Sequence, residues 1–480
     1  MMSLPSSRRS RRRSEHSRAA RPQLETLEDR RLLANVFHDF EIPADFGRLT
    51  GGITGGSDGN IWVTGTQGDI GRITPGGQFQ SFSQIDFQSN LTHALITTGP
   101  DGNLWTTYGF TDELGNSYSD LVRTTTDGVS TIFYLGYPPT ADVAAGPDGT
   151  VLVTIPRSSV TRYTRISLGY PIGAYITIAD ATYDYYPTID RVTTDGKIKS
   201  SSTLAPGANM AGVVAVADGN IWFTEGANVP RIGRLTPDGQ FSEYDLPSGN
   251  LGATAITIGP DGNPWFVESA IPTPDQPAMS QIATIAPDAH ITQVGPTFYA
   301  AGAPSLTTGP DGNLWFLTPD VDNSQPDFRG RVGRLTPGGA ISYYAMPAGI
   351  YTSNLIAGPD GNLWLTEYEG QRDMVGQMVL ADLIHANGLP PNVDAQGAVV
   401  GPLASIDTAE MNPDPAGFVA KVDWGDGSAA SPGVVVRNAQ GALVVQGSHT
   451  YAEAGQHTVT VTIKDAGGAT ATATTSAFVP

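Results

Sequence analysis

From residue 36 to about 380 the apolar positions fall in short runs rich in β-branched and aromatic side chains, each bounded by Gly, Pro, Asp or Asn. Runs of that kind predict strands rather than helices. One pattern recurs, Asp-Gly-Asn-apolar-Trp, at 58–62, 101–105, 218–222, 261–265, 311–315 and 360–364, with a decayed copy at 148–152. Successive Asp residues lie 43, 47, 70, 43, 50 and 49 positions apart, so only the third interval departs from a single repeat. A run ending in Gly precedes the motif, as in Leu95-Ile-Thr-Thr-Gly99, and a second run follows it, as in Trp222-Phe-Thr-Glu225. Two strands therefore flank a tight turn, in which Asp and Gly accept the left-handed conformation that closes a hairpin.

A second turn motif follows six of the copies: Thr74-Pro-Gly-Gly77, Thr125-Thr-Asp-Gly128, Thr193-Thr-Asp-Gly196, Thr236-Pro-Asp-Gly239, Ala286-Pro-Asp-Ala289 and Thr336-Pro-Gly-Gly339. The unit thus has four strands, a to d, with uniform turns at a–b and c–d. Such units cannot bury both faces alone, and they stack radially as the blades of a propeller. The recurring Trp then packs between blades. The seventh unit lacks an outer strand, while Val36-Phe-His-Asp-Phe-Glu-Ile-Pro43 matches the outer strand Phe241-Ser-Glu-Tyr-Asp-Leu-Pro247. The sequence therefore predicts an all-β, seven-bladed β-propeller over 35–384, closed by its N-terminal strand, which removes two exposed sheet edges.

The text of these repeats, Gly99-Pro-Asp-Gly-Asn-Leu-Trp105, Trp222-Phe-Thr-Glu225 and Ile232-Gly-Arg-Leu-Thr-Pro-Asp-Gly239, resembles the streptogramin B lyase (virginiamycin B lyase) family over about 36–380. The resemblance implies a C–O lyase that opens cyclic depsipeptides by elimination, with a His base and Mg polarising the substrate. In that family the functional His residues stand in Pro-His-Ala-Ile or Pro-His-Gly-Ile at the start of the innermost strands of the last two blades. The comparable positions here are Gly51, Ala94, Ala141, Ala211, Thr254, Pro304 and Ser353. His93 is one residue off and in the second blade, which turns it to the opposite face of its strand. Glu367 matches a family metal ligand, but a carboxylate does not supply the missing base.

After a linker at 385–397 the repeat gives way at 398 to Val422-Asp-Trp-Gly-Asp-Gly-Ser428, His449-Thr-Tyr451 and a run in which Val459, Val461 and Ile463 alternate with polar residues. This looks like a PKD-type β-sandwich over 398–480, a common extracellular spacer or adhesion module. In that family Trp424, Asp426 and His449 are fold residues. Ahead of the propeller, residues 1–34 carry arginine clusters and the segment LETLEDRRLLA, which resembles a short motif at the front of large surface and secreted bacterial proteins. We expect a disordered basic leader or sorting segment, and an extracellular or cell-surface location.

Charge sharpens this picture. Of 27 basic and 47 acidic residues, nine Arg and four acids lie within 1–31, so 18 basic residues face 43 acidic ones downstream. A surface that acidic repels phosphate backbones and excludes nucleic acid as a partner. With no Cys, disulfides, zinc–thiolate sites and thiol nucleophiles are excluded together. No run reaches the ~18 apolar residues of a membrane-spanning helix.

Candidate chemistry belongs on the face opposite the uniform turns, where the d–a and b–c connections vary: 108–120, 225–231, 268–281, 318–331 and 367–372. The long third interval falls there too, inserting 156–187 between strands b and c of blade three. This insertion carries Tyr163, Tyr170, Tyr175, Tyr183, Tyr185 and Tyr186, a residue type suited to a binding surface. It reads either as a recognition flap or as an extra hairpin packed on its own blade. Glu225, Glu268 and Glu367 end their b strands beside this face, where they could converge with Asp112, Glu113 or Asp322 on a divalent cation. The acidic segments 112–120 and 320–327 do not fit the twelve-residue calcium loop, and solvated loop acids are the simpler reading. The expected partner is an extracellular polymer, peptide or small ligand.

Overall fold

The computed structural model describes residues 36–83, 91–111, 117–137, 142–155, 158–167, 175–185, 187–204, 210–225, 230–247, 251–270, 279–299, 305–318, 330–347 and 349–480. The leader at 1–34 lies outside the described residues. In blade 1, strands a to d are Leu49–Gly55, Ile61–Gly65, Asp69–Ile73 and Phe79–Ser83, paired in sequence order. The same antiparallel four-stranded sheet occurs seven times, and strand a of each blade neighbours strand a of the next, blade 7 lying beside blade 1. The chain is a seven-bladed propeller.

The ring closes as the outer-strand text predicts. Phe37–Glu41 pairs antiparallel with strand c of blade 7, Arg372–Met378, in the register Phe37↔Met378 to Glu41↔Met374. Phe40 stacks on Trp364 at 5.6 Å, as Phe82 stacks on Trp62 at 5.4 Å and Phe133 on Trp105 at 5.6 Å. The borrowed strand thus makes the same aromatic contact as a strand d continuous with its own blade.

The repeated motif explains itself in the a–b turn. Gly56 N–H donates to the Asn60 carbonyl at 2.7 Å, and Gly59 N–H donates to the Gly56 carbonyl at 3.1 Å with Gly59 at φ +79°. Asp58 then accepts from Trp62 Nε1 at 3.1 Å and from Asn60 Nδ2 at 2.7 Å. A Cβ on Gly56 would collide with the Trp62 ring, so the turn glycine is what admits the indole. Trp62, Trp105, Trp222, Trp265, Trp315 and Trp364 are all buried, and Trp62 packs with Ile96 and Leu104 of the next blade. They are packing residues. Replacing Trp105 or Trp315 by Ala should cost about 3–5 kcal/mol, read as a fall in the urea midpoint at constant m. Asp101→Ala, which removes the acceptor shared by the Trp105 indole and Asn103 but leaves the ring packed, should cost about 1–3 kcal/mol.

The C-terminal module departs from the expected two facing sheets. Its strands form one antiparallel sheet in the order Ile384–Gly388, Ala398–Thr408, Leu443–Thr450, Ser431–Arg437, Phe418–Asp423, Gly455–Asp465, Thr470–Val479. Pairing of Val422 with Ser431 joins the two halves. The first strand lies against the last, where a Cβ on Gly388 would fall on the Thr474 carbonyl. The sheet therefore curls into a near-barrel around Val422, Trp424, Val445, Val459, Val461 and Ile463. Twist and coiling bring the edges together and leave no separate second layer. Ile384–Gly388, within the stretch read as a linker, opens this sheet. Trp424 is buried, donates Nε1–H to Ser431 Oγ at 2.9 Å and stacks on His449 at 4.8 Å.

Candidate functional site

Glu225 ends strand b of blade 4, and Glu268 and Glu367 lie two residues before the ends of strands b of blades 5 and 7, all three buried towards the face of variable connections. Alternation along strand b puts each on the side of its strand that faces the preceding blade. Glu225 shares that side with Phe223, which clusters with Leu152 and Ile189 of blade 3, and Glu268 shares it with Phe266, which clusters with Trp222 of blade 4. Leu365, on the Glu367 side, packs with Trp315 and Val332 of blade 6. The three carboxyls occupy three separate clefts between blades. Among the described residues, no three His, Asp or Glu side chains gather where a metal ion could be held.

Glu268 and Glu367 face a polar residue of strand d of their own blade, while Glu225 feels the charge of Glu243 on strand d. Glu268 Oε2 accepts from Gln293 Nε2 at 2.6 Å, and Gln293 pairs with Ala283. Glu225 meets Glu243, which pairs with Gly233. Glu367 meets Asp39, which pairs with Gly376, and a Cβ on Gly376 would fall against the Glu367 carboxyl.

Two of these three meetings are acid with acid. Burial, and then repulsion from Glu243, push Glu225 up to about 7, against the opposing pull of Arg231. Arg231 itself is held by Asp245 at 2.8 Å and Glu243 at 2.8 Å. Burial and the facing Asp39 push Glu367 well above the usual carboxylate range, and no hydrogen-bond donor reaches either of its oxygens. Burial thus disfavours the charged form of Glu367. Burial also raises Glu268. The signal for these partners was present in the sequence as a polar third residue of the outer strand opposite Gly or Ala, but only the pairing register brings it out.

Strands a and b of blade 7 bring hydroxyls and an amide together at the junction with blade 1. Ser353 Oγ lies 2.7 Å from Thr366 Oγ1 and 3.4 Å from Tyr368 Oη, and Asn354 Nδ2 donates to the Gly51 carbonyl at 2.5 Å. Gly51, at φ +92°, has room for no more than this, since a Cβ there would stand 3.2 Å from the Asn354 amide. Thr254 offers its carbonyl to Thr224 Oγ1 at 2.9 Å. His93 lies in the strand Leu91–Thr98 with its backbone opposite Gly109, and its side chain is outside the described residues. His38 and His290 are exposed on the outside of the disc, and His385 sits in the C-terminal sheet.

The insertion in blade 3 is a hairpin of its own. Ser158–Ser167 pairs with Tyr175–Tyr185 in a two-stranded sheet, and strands b and c of the blade pair with each other beneath it. Tyr163 lies in the first of these strands and Tyr175, Tyr183 and Tyr185 in the second, with their side chains outside the described residues. Tyr170, Tyr186, Asp112, Glu113 and Asp322 lie outside the described residues.

Several solved structures are similar to this chain. It is similar to virginiamycin B lyase from Staphylococcus aureus, at 23% identity and TM-score 0.49 over 72% of this chain and 99% of that one. A streptogramin B lyase structure is similar at 20% identity and TM-score 0.48, over 72% and 97% of the two chains. The extracellular domain of a hybrid two-component system from B. thetaiotaomicron is similar at 10% identity and TM-score 0.41, over 92% and 57%. No protein-family pattern matches the sequence, and no curated protein matches it.

Proposed function

We propose that this protein is a secreted or cell-surface propeller that binds an extracellular polymer, peptide or small ligand on its irregular face, without elimination chemistry. The observation that carries the reading is the absence of a base from the sequence: the positions comparable to the family's His residues are Gly51, Ala94, Ala141, Ala211, Thr254, Pro304 and Ser353, and none of these side chains accepts a proton at neutral pH. The hydroxyls and amide of Ser353, Thr366, Tyr368 and Asn354 provide hydrogen-bond partners that fix a bound molecule rather than transform it. The basic leader and the appended C-terminal module support the location.

A second reading, a Mg-dependent C–O lyase acting on cyclic depsipeptides, draws on one observation: burial and the facing Asp39 favour the protonated form of Glu367, an acid that could serve elimination. The donors a metal would need do not fit. Glu367 faces Asp39 at the rim, while Glu225 and Glu268 occupy other clefts. Incubating the protein with a B-type streptogramin and Mg²⁺ should leave the cyclic substrate intact by mass spectrometry and chromatography. A linear product of unchanged mass, lost in Glu367→Gln, would overturn the binding reading. Deleting 157–186 should weaken capture of whatever polymer or peptide an array identifies at least tenfold, and unchanged affinity would remove the tyrosine hairpin from the site.

A further inference from the structure

Blades 1 to 6 each own a c–d turn, but blade 7 has none, because its strand d arrives from the other end of the chain. In this ring those turns bind neighbours. Arg72 Nη1 of blade 1 donates to the Thr126 carbonyl in the turn of blade 2 at 3.3 Å, and Arg123 Nη1 of blade 2 donates to the Thr194 carbonyl in the turn of blade 3 at 2.7 Å. Arg334 of blade 6 holds the equivalent position, opposite Trp315 in the strand pairing and 5.7 Å from the centre of its ring. Its counterpart turn on blade 7 does not exist.

The C-terminal module fills that place. Arg334 Nη2 donates to Asp465 Oδ2 at 2.7 Å, with the two side chains only 1% and 5% exposed. A Cβ on Gly467 would fall on the Arg334 guanidinium, and Gly467 accepts from Asn313 Nδ2 at 2.8 Å through its carbonyl. The turn itself, Asp465-Ala-Gly-Gly468, reproduces a blade turn bond for bond. Asp465 N–H donates to the Ala469 carbonyl at 2.9 Å and Gly468 N–H to the Asp465 carbonyl at 3.1 Å. In Thr336-Pro-Gly-Gly339 the matching bonds run from Thr336 to Ala340 at 2.9 Å and from Gly339 to Thr336 at 2.9 Å. The first side chain even caps alike: Asp465 Oδ1 accepts from Ala469 N–H at 2.8 Å, as Thr336 Oγ1 accepts from Ala340 N–H at 3.0 Å. Beside it, Met411 N–H donates to the Tyr343 carbonyl at 2.7 Å on strand d of blade 6.

We propose that the Asp465–Gly468 turn is a surrogate seventh c–d turn, so that the C-terminal module is a clasp built into the ring rather than a spacer tethered behind it. Docking of the module and closure of blade 7 by the N-terminal strand form one cooperative unit. Two closures that share blades 6 and 7 protect each other. Arg334 stays charged when buried, so removing its hydrogen-bonded partner Asp465 leaves that charge in the joint without its direct ion pair.

Hydrogen exchange on the full-length chain tests this. In Asp465→Asn, amides of Phe37–Glu41, Ile341–Ala345 and Arg372–Met378 should exchange at least tenfold faster, while the core strands Leu443–Thr450 and Gly455–Asp465 keep their protection. Gly467→Ala, whose new methyl group meets Arg334 without touching the core of the module, should give the same pattern. In an Arg334→Gln, Asp465→Asn cycle the double variant should exchange no faster than the worse single one. Unchanged exchange in the blade strands, or two separate thermal transitions in the unaltered protein, would overturn the proposal.

Discussion

Removing residues 36–41 should destabilise the propeller by roughly 5 kcal/mol, seen as a large fall in the urea midpoint and loss of a single cooperative transition. The estimate is local and concrete. Val36 and Phe37 are buried with Leu363, Leu365 and Met378, and each such side chain contributes roughly 1.5–3 kcal/mol. Phe40 stacks on Trp364 and lies over Gly77 of blade 1, where a Cβ would strike its ring. Deletion also bares the edge of Arg372–Met378, leaving its N–H and C=O groups without the pairs that Phe37–Glu41 supplies. Phe40→Ala alone should show a fraction of the loss, and a deletion that leaves midpoint and cooperativity unchanged would contradict the closure.

The second large effect concerns pH. Glu225, at about 7 in the folded chain, binds a proton that the unfolded chain has released above pH 4.5. Its contribution to stability is therefore full below about pH 4.5 and is lost as pH rises towards 7, by about 3 kcal/mol in all. Glu367, Glu268 and Asp39 are raised as well, and Asp142 is raised to about 6, all by burial first, so all act in the same direction. On the acid side, hydrogen bonds hold Asp101 and Asp360 below their ordinary values, and Asp148 at about 2, despite some burial. Stability present above the unfolded value is lost there as pH falls. The melting temperature should peak in mildly acidic buffer and decline on both sides. Glu225→Gln should flatten the alkaline limb, gaining up to about 3 kcal/mol at pH 8 relative to the unaltered protein. An alkaline limb of the same slope would show that Glu225 ionises freely.

The repeating elements of this fold were legible because each carries its reason locally. Asp58, Asn60 and Trp62 bond one another within five residues, so a blade turn can be read from text alone. The missing seventh c–d turn was also countable, and it correctly led to Val36 and Phe37. Its second consequence was not drawn, because Asp465-Ala-Gly-Gly468 lies in a different module and takes on meaning only beside Arg334. The same limit applies to the glutamates. Strand position shows which face they approach, but their neighbours Glu243, Gln293 and Asp39 depend on the register of strands c and d and, for Glu367, on Gly376 leaving room. The curled C-terminal sheet was missed for another reason: Ile384-His-Ala-Asn-Gly388 has too little alternation to announce a strand.

Phe37 and Met378, which pair at the seam, are 341 positions apart in the chain. A ribosome makes the sealing segment 341 residues before its partner, so the ring stays an open arc with that segment unmatched while the seven blades are made. Contacts so distant along the chain fold slowly. The nascent arc must keep its unpaired edges from meeting other chains until residue 378 has emerged.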